Sequence, residues 1–503
     1  MKRMISMLLI LLMLTGSGCG EQPTSDNNSV ETTAAVTETD TADPYPDNLP
    51  AELDYGGEEI SFIYREEIAD EFYIESFDGD VVHDNILSSM NSVEERLDVD
   101  IIVTLRPGHL IGAREEYMNH IDNSIMAGDR SYDWVDLMIG NAPLRAMSGN
   151  YMNLLENSMI DLDQPWYLSG LRNVCTVADQ LFFVSGDASL GYLKSVFCMY
   201  FNKVLAEIYD IENLYQTVES GNWTLNKLTE VTKITSQDLN HDGTYSLKDQ
   251  LGFVNHDNTH LNGYMFALGT NAYTKQSDGS WKFTFGSDRD YTAAAALGML
   301  YSNTEGALFP NSANASSGGL SIYNQITANF CSDKIFLITA EMNDGISLFR
   351  SMESEYGVLP YPKLDENQEN YITTGRSTWN SFSMPVTCVN PTAAGAVMEA
   401  LSSSNYQKVL PSYFETTLKT KLSSDSEAAM MFDVIHDSMT LDFGYVFANA
   451  IGNISPQLAS NMISNSDKIA SFVAKNAESA NKHLQSYVED IEKMVNQLEG
   501  EES

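Results

Sequence analysis

Basic side chains are scarce in this chain: 28 Lys and Arg stand against 70 Asp and Glu, a formal net charge of -42 over 503 residues. A field of that sign repels phosphate backbones, so nucleic acid is not expected as a partner, and an anionic ligand would need a local basic pocket. Cysteine is scarce too. Beyond Cys19, the remaining Cys175, Cys198, Cys331 and Cys388 are spaced too widely and irregularly for a zinc motif. In an exported chain they allow disulfides or buried thiols, and spacing alone favours neither. No apolar run reaches bilayer length, since the N-terminal one, residues 4–14, falls short of the roughly 20 residues a spanning helix takes. HExxH, GxSxG and the P-loop are all absent. Paired carboxylates are abundant in so acidic a chain and decide nothing about glycosidic chemistry.

What is present describes an exported globular protein. Hydrophobic residues make up 43% and aromatics 10%, enough for two or three domains with sizeable cores. Lys2 and Arg3, the 4–14 run and the small residues of 14-LTGSGCG-20 have the layout of a secretory signal, residues 1–19. A cysteine directly after small residues resembles a lipobox, with Gly16 where leucine is usual, so Cys19 is expected to carry lipid and anchor the chain on the outer face of the membrane. Residues 20–48 hold scarcely an apolar side chain larger than valine and are expected to form a disordered acidic Ser/Thr-rich tether.

From residue 58 strand and helix periods alternate. The stretch 58-EEISFIYR-65 reads as a strand, and Ile86, Met90, Val93 and Leu97 mark one helical face. Strands follow at 101–105 and 134–140, with a helix at 115–128 between them. Near-continuous apolar strands alternating with helices imply an α/β sheet covered on both faces. Further on, a capped helix is expected at 222–234, strands at 251–254, 335–339 and 384–389, and a long amphipathic helix at the C-terminus. No repeat has a fixed period.

One loop has metal-site grammar. In 238-DLNHDGTYSLKD-249, Asp238, Asn240, Asp242, Thr244, Ser246 and Asp249 fall at alternating positions around a bend at Gly243. That spacing converges oxygens on Ca²⁺, with Asp249 in place of the usual glutamate. One such loop in so long a chain implies a structural staple.

Several segments together resemble the extracellular solute-binding lipoproteins of sugar-type ABC importers, in their Firmicutes-like branch: 71-EFYIESFDGDVVHDNILSSMNSVEERLDV-99, 161-DLDQPWYL-168, 185-SGD-187, 199-MYFNK-203, 221-GNWTLNKLTE-230, 357-GVLPYPKLDENQENY-371 and 441-LDFG-444. The resemblance implies a periplasmic-binding-protein-like α/β fold of two lobes joined by hinge strands. Lobe 1 would comprise residues 49–198 plus 380–440, and lobe 2 residues 199–379 plus 441–503. Crossings are expected near 200–202, 374–381 and 441–445. A monomer is implied that clamps a carbohydrate and delivers it to a permease, without catalysis. A surface glycosidase or lyase is the alternative, and an adhesion module built on the calcium loop is a third reading. Sugar rings need aromatic faces and a rim of polar groups. On that ground Tyr64, Arg65 and Glu66 at the end of the first strand, Asn141, Trp166, Glu341 and Trp379 are the candidate ligand contacts.

Overall fold

The computed structural model describes residues 47–309, 321–421 and 426–501. The signal segment, Cys19 and the tether up to residue 46 lie outside the described residues. Where the description begins, Asp47 is already pinned to the body by Arg96 at 2.6 Å.

The first sheet has the order β11-β3-β1-β2, with β1 (Glu58–Arg65), β2 (Val99–Arg106) and β3 (Trp134–Met138) mutually parallel. Parallel neighbours need helical crossovers, and Val81–Leu97 and Arg114–Ala127 supply them. Asp80 caps the first by accepting from the Val82 and His83 amides, and Asp98 ends it in the left-handed region, φ 49°. The second sheet, order β10-β4-β9-β5-β8, uses β4 (Phe197–Asn202), β5 (Leu251–Val254), β8 (Ala307–Leu308), β9 (Ile335–Glu341) and β10 (Tyr356–Leu359). A small hairpin of β6 (Tyr273–Lys275) and β7 (Trp281–Phe283) stands apart. Every residue of β3, β4 and β5 is buried, as their predominantly apolar character requires, and the two polar exceptions are paired, Asp136 with Arg65 and Asn202 with the Leu205 amide.

The expected return to the first sheet comes earlier than the apolar run at 384–389. It is β11 (Asn380–Ser383), antiparallel to β3. This strand reads NSFS and hides from a hydrophobicity search because its polar side chains are satisfied internally, for instance Ser381 Oγ donating to Leu137 O at 3.1 Å.

Three segments connect the sheets side by side. Val196 bridges Gly375, Thr373 bridges Met439, and Phe197 N–H donates to Thr374 O at 2.9 Å. The first crossing thus falls just before β4, a few residues ahead of the expected 200–202, because Tyr200 is already a fully buried core residue of the second sheet. The helix Pro391–Lys421 lies along Val81–Leu97, whereas Ser426–Asp437 packs on β10. The C-terminal helix Ile469–Glu501 touches both sides: Asn481 accepts from the Phe283 amide, and Tyr487 Oη donates to Pro143 O at 3.1 Å.

Candidate ligand-binding cleft

The hinge segments floor a cavity of about 200 Å³. Glu71, His109 and Lys194 reach it from the first lobe, Glu341, Asn343 and Asp344 from the second, and Arg376, Thr378 and Trp379 from the hinge. A larger cavity of about 680 Å³ lies elsewhere, under the C-terminal helix, walled by Met152, Phe182, Met384 and Met494. The smaller one is the better candidate because charged groups from both lobes converge on it, and such convergence distinguishes a binding site from a packing gap.

Arg376 is the centre of the cleft. It follows Gly375, where a side chain would meet Ser195 Oγ at 2.6 Å, so glycine lets the two hinge strands touch. Its guanidinium lies 2.6 Å from Glu341 Oε1 and 3.2 Å from Asp257 Oδ2. The Nε–H is not aimed at Glu341, so the closer contact is one of charge more than of an aligned hydrogen bond. Burial raises the Glu341 carboxyl, but His260 and Arg376 outweigh it and hold the group below its ordinary value. Asp257 resists burial in the same way, drawn down to about 2 by Arg376 and the Thr259 amide. Asp344 accepts from the Glu341 amide at 2.8 Å, and burial next to the Glu341 charge pushes its carboxyl up.

Across the cleft, burial lifts Glu71 to about 7 although Lys194 Nζ stands 3.5 Å away and pulls it down. Lys194 also meets Asp70 at 3.1 Å. His109 is lowered to about 4 by burial and then by Arg65 and Arg114, which keeps it neutral. Arg65 only donates, so His109 Nδ1, 3.2 Å from Arg65 Nη1, accepts and Nε2 carries the proton.

Of the residues expected from sequence, Glu341 and Trp379 line this cavity. Trp379 is 2% exposed, donates from Nε1 to Ser185 Oγ and meets Tyr192 edge to face. Arg65 stands behind the wall, fully buried and bidentate to Asp136 at 2.7 and 3.0 Å, with Nη1 on Thr378 O. Tyr64 is equally buried, on Ser189 Oγ, and Glu66 is exposed where the 3-10 turn Glu66–Glu71 begins. Asn141 accepts from Asn449 Nδ2 at 2.9 Å on the first lobe. Trp166 packs in the first lobe's core, with Tyr406 at 6.3 Å, away from the cleft lining. The same strand ends also carry the groups missed from sequence. Lys194 and Arg376 each sit within two residues of a hinge bridge; Arg376 lies within the expected crossing 374–381, where polar residues were the signal to follow, whereas Lys194 precedes the expected 200–202.

The loop 238–249 lies in the second lobe. Asp238 accepts from the His241 and Gly243 amides, Asn240 from Asp242, Asp242 from Thr244, and Asp249 from Leu239 and Ser246. Gly243 sits at φ 78° and His241 at φ 58°, the left-handed turns such a coil needs. Each carboxylate keeps lone pairs beyond those hydrogen bonds, and Asp249 is wholly buried. This oxygen-only donor set fits a hard cation. Cys175, Cys198 and Cys388 are buried free thiols.

Two lobes, three adjacent hinge segments and a charged cleft between them define a two-lobed α/β fold of the periplasmic-binding-protein type. No family model and no curated sequence matches the chain. Among solved structures it is similar to the galacto-N-biose-/lacto-N-biose I-binding protein of the ABC transporter from Bifidobacterium longum, at 13% identity, TM-score 0.55, covering 86% of this chain and 98% of that one. It is also similar to the cyclic alpha-maltosyl-1,6-maltose binding protein from Arthrobacter globiformis, at 12% identity and TM-score 0.54, over 86% of this chain and 99% of the other. An ABC transporter solute-binding protein from Thermotoga lettingae, bound with alpha-D-tagatose, matches at 13% identity and TM-score 0.53, over 85% and 100%. At such identities the likeness is one of fold: the chain has the fold of the solute-binding proteins of sugar ABC transporters.

Proposed function

We propose that the protein is a solute-binding protein that captures a carbohydrate between its lobes and hands it to an ABC permease, without chemical turnover. The observation that carries this reading is the convergence of Glu71 and Lys194, Glu341 and Asp344, and hinge residue Arg376 on one cavity. Carboxylates and a guanidinium suit sugar hydroxyls, which both donate and accept. The similar structures were solved with lacto-N-biose and alpha-D-tagatose in place, and the same chemical class is the reading for this cleft. Closure follows from differential affinity, because contacts from both lobes are complete only in the closed state.

Thermal shift against mono- and oligosaccharides tests this. A sugar at 100 times its dissociation constant adds about 2.7 kcal/mol to stability, and the sugar should be recovered unaltered. Trp379→Ala is expected to weaken binding about tenfold or more, whereas Trp166→Ala should lower the melting temperature and leave affinity alone. If no sugar shifts the wild type, or the sugar is cleaved, the reading fails.

Three further features belong to the proposal. Cys19 is read as the lipidated residue that holds the chain on the extracytoplasmic face as a monomer beside its permease. No helix among the described residues is long and apolar enough to cross a membrane. In membrane fractionation Cys19→Ala should move to the medium or remain an unprocessed precursor; processed variant still in the membrane would exclude this anchor. The loop 238–249 is read as a structural Ca²⁺ site held by Asp238, Asn240, Asp242, Thr244, Ser246 and Asp249. EGTA is expected to lower the melting temperature without altering sugar preference, and an unchanged melting curve would reduce the loop to a turn.

A further inference from the structure

The second lobe carries a cluster of which the carbohydrate reading uses only Asp344. In 256-HDNTH-260 two histidines lie four residues apart, and one ligand atom each from His256, His260 and Asp344 falls within 4.8 Å of the others. We propose that these three side chains form a site for a divalent transition-metal ion of the zinc class at the edge of the cleft.

The hydrogen bonds around the two imidazoles suit the tautomers that a metal needs. Asn255 Nδ2 donates to Asp257 O, which turns its Oδ1 toward Thr339, and the Thr339 hydroxyl donates to that oxygen at 3.3 Å. With its proton spent, Thr339 Oγ1 accepts, from the His256 amide at 2.9 Å and from His260 Nδ1 at 3.0 Å. His260 is thus able to donate from Nδ1 to Thr339 and leave Nε2 to a metal. The Thr327 hydroxyl donates to Tyr323 O, so it accepts from His256 Nε2 at 2.9 Å, and the lone pair of His256 lies on Nδ1. Both rings thus donate on one side and offer a lone pair on the other, the arrangement that orienting partners impose on metal-binding histidines.

His260 Nε2 stands 3.5 Å from Glu341 Oε1, and a metal ion on Nε2 takes the place of a proton there. Arg376 already serves Glu341 and Asp257. The donors left are His256, His260 and the Asp344 oxygen not engaged by the Glu341 amide. His260 is 1% and His256 8% exposed, so little water competes. Two imidazoles and one carboxylate suit zinc rather than calcium or magnesium. Tetrahedral zinc with ligands near 2.0 Å spaces its donors about 3.3 Å apart, within reach of side-chain rotation from 4.8 Å. Asp344 lines the cleft, which leaves an open coordination position toward solvent or solute.

The test titrates the full chain with Zn²⁺ by calorimetry in buffer containing excess Ca²⁺, with metal content measured after dialysis. One equivalent should bind at about micromolar or better. The double variant His256→Gln/His260→Asn keeps the donors to Thr327 and Thr339 while replacing the imidazole nitrogens with weakly ligating amide oxygens, and should lose at least about 100-fold in affinity with an unchanged melting temperature in metal-free buffer. Wild-type affinity in that variant, or no stoichiometric zinc in the wild type, would overturn the site. Cobalt(II) spectra of the wild type need no variant: intense bands of a four- or five-coordinate ion support the site, and only the weak bands of the hydrated ion refute it.

Discussion

Arg376→Ala is expected to abolish sugar binding, with a loss of about 100-fold or more, and to lower stability by about 3 kcal/mol. The guanidinium is the cation shared by Glu341 and Asp257 at the cleft floor. Removing one member of a buried ion cluster costs about 3–5 kcal/mol because the remaining charges are left without a partner; Arg376 is 27% exposed along its side chain, which places the expectation at the low end. The same substitution takes away the donor that the hinge presents to a solute from between the lobes. Pairing it with Glu341→Gln should return part of the stability and none of the affinity. A double-mutant cycle on chemical denaturation, with calorimetric binding alongside, separates the two effects. Arg376→Ala with wild-type affinity would show that the solute binds elsewhere.

Stability should be higher near pH 5 than near pH 8. Burial lifts Glu71 and Glu399 from 4.5 to about 7 and Asp442 from 3.8 to about 7. A carboxyl whose folded value exceeds its unfolded one holds its proton more tightly when folded. Its contribution is therefore complete below about pH 4 and is lost as pH rises through about 7. Together the three groups are worth several kcal/mol at most, and relief of self-repulsion among 70 acidic residues acts in the same direction. Below pH 4 the sign reverses: Asp257 and Glu67, both drawn to about 2, contribute stability above their unfolded values and lose it as they protonate. Melting temperatures across pH 3–9 should peak near 5. Glu399→Gln, which keeps the partner for Tyr167 Oη, should flatten the decline between pH 5 and 8. A maximum at pH 8 would mean that these carboxyls are hydrated in the folded protein.

The C-terminal helix bears on how far the lobes separate. It contacts the β6–β7 hairpin through Asn481 and the first lobe through Tyr487. Hinge opening must therefore bend the helix or release one of these contacts, so the 680 Å³ cavity beneath it, walled in part by Met494, is a place where the two forms are free to differ in packing.

Read alone, the sequence determined the α/β alternation, the strand Glu58–Arg65 to the residue, and the long amphipathic C-terminus. These are periodic or compositional properties, and burial of an apolar face leaves its period in the chain. It also picked out Glu341 and Trp379, which stand where a strand or a crossing ends at the cleft. Only the tertiary structure decided that Tyr64, Arg65 and Trp166 face inward. Arg65 looks like a solvent-facing strand-end cation until Asp136, 71 residues away, closes on it from the next strand. The strand NSFS was hidden for the same reason, since its polar side chains are paired by hydrogen bonds to distant segments. Glu71, Lys194, Asp344 and Arg376 come from four separate stretches and acquire a common environment only when three hinge segments lie side by side. A linear pattern records which residues are buried against their own neighbours. Which charges meet across a cleft depends on long-range closure, and no local period encodes it.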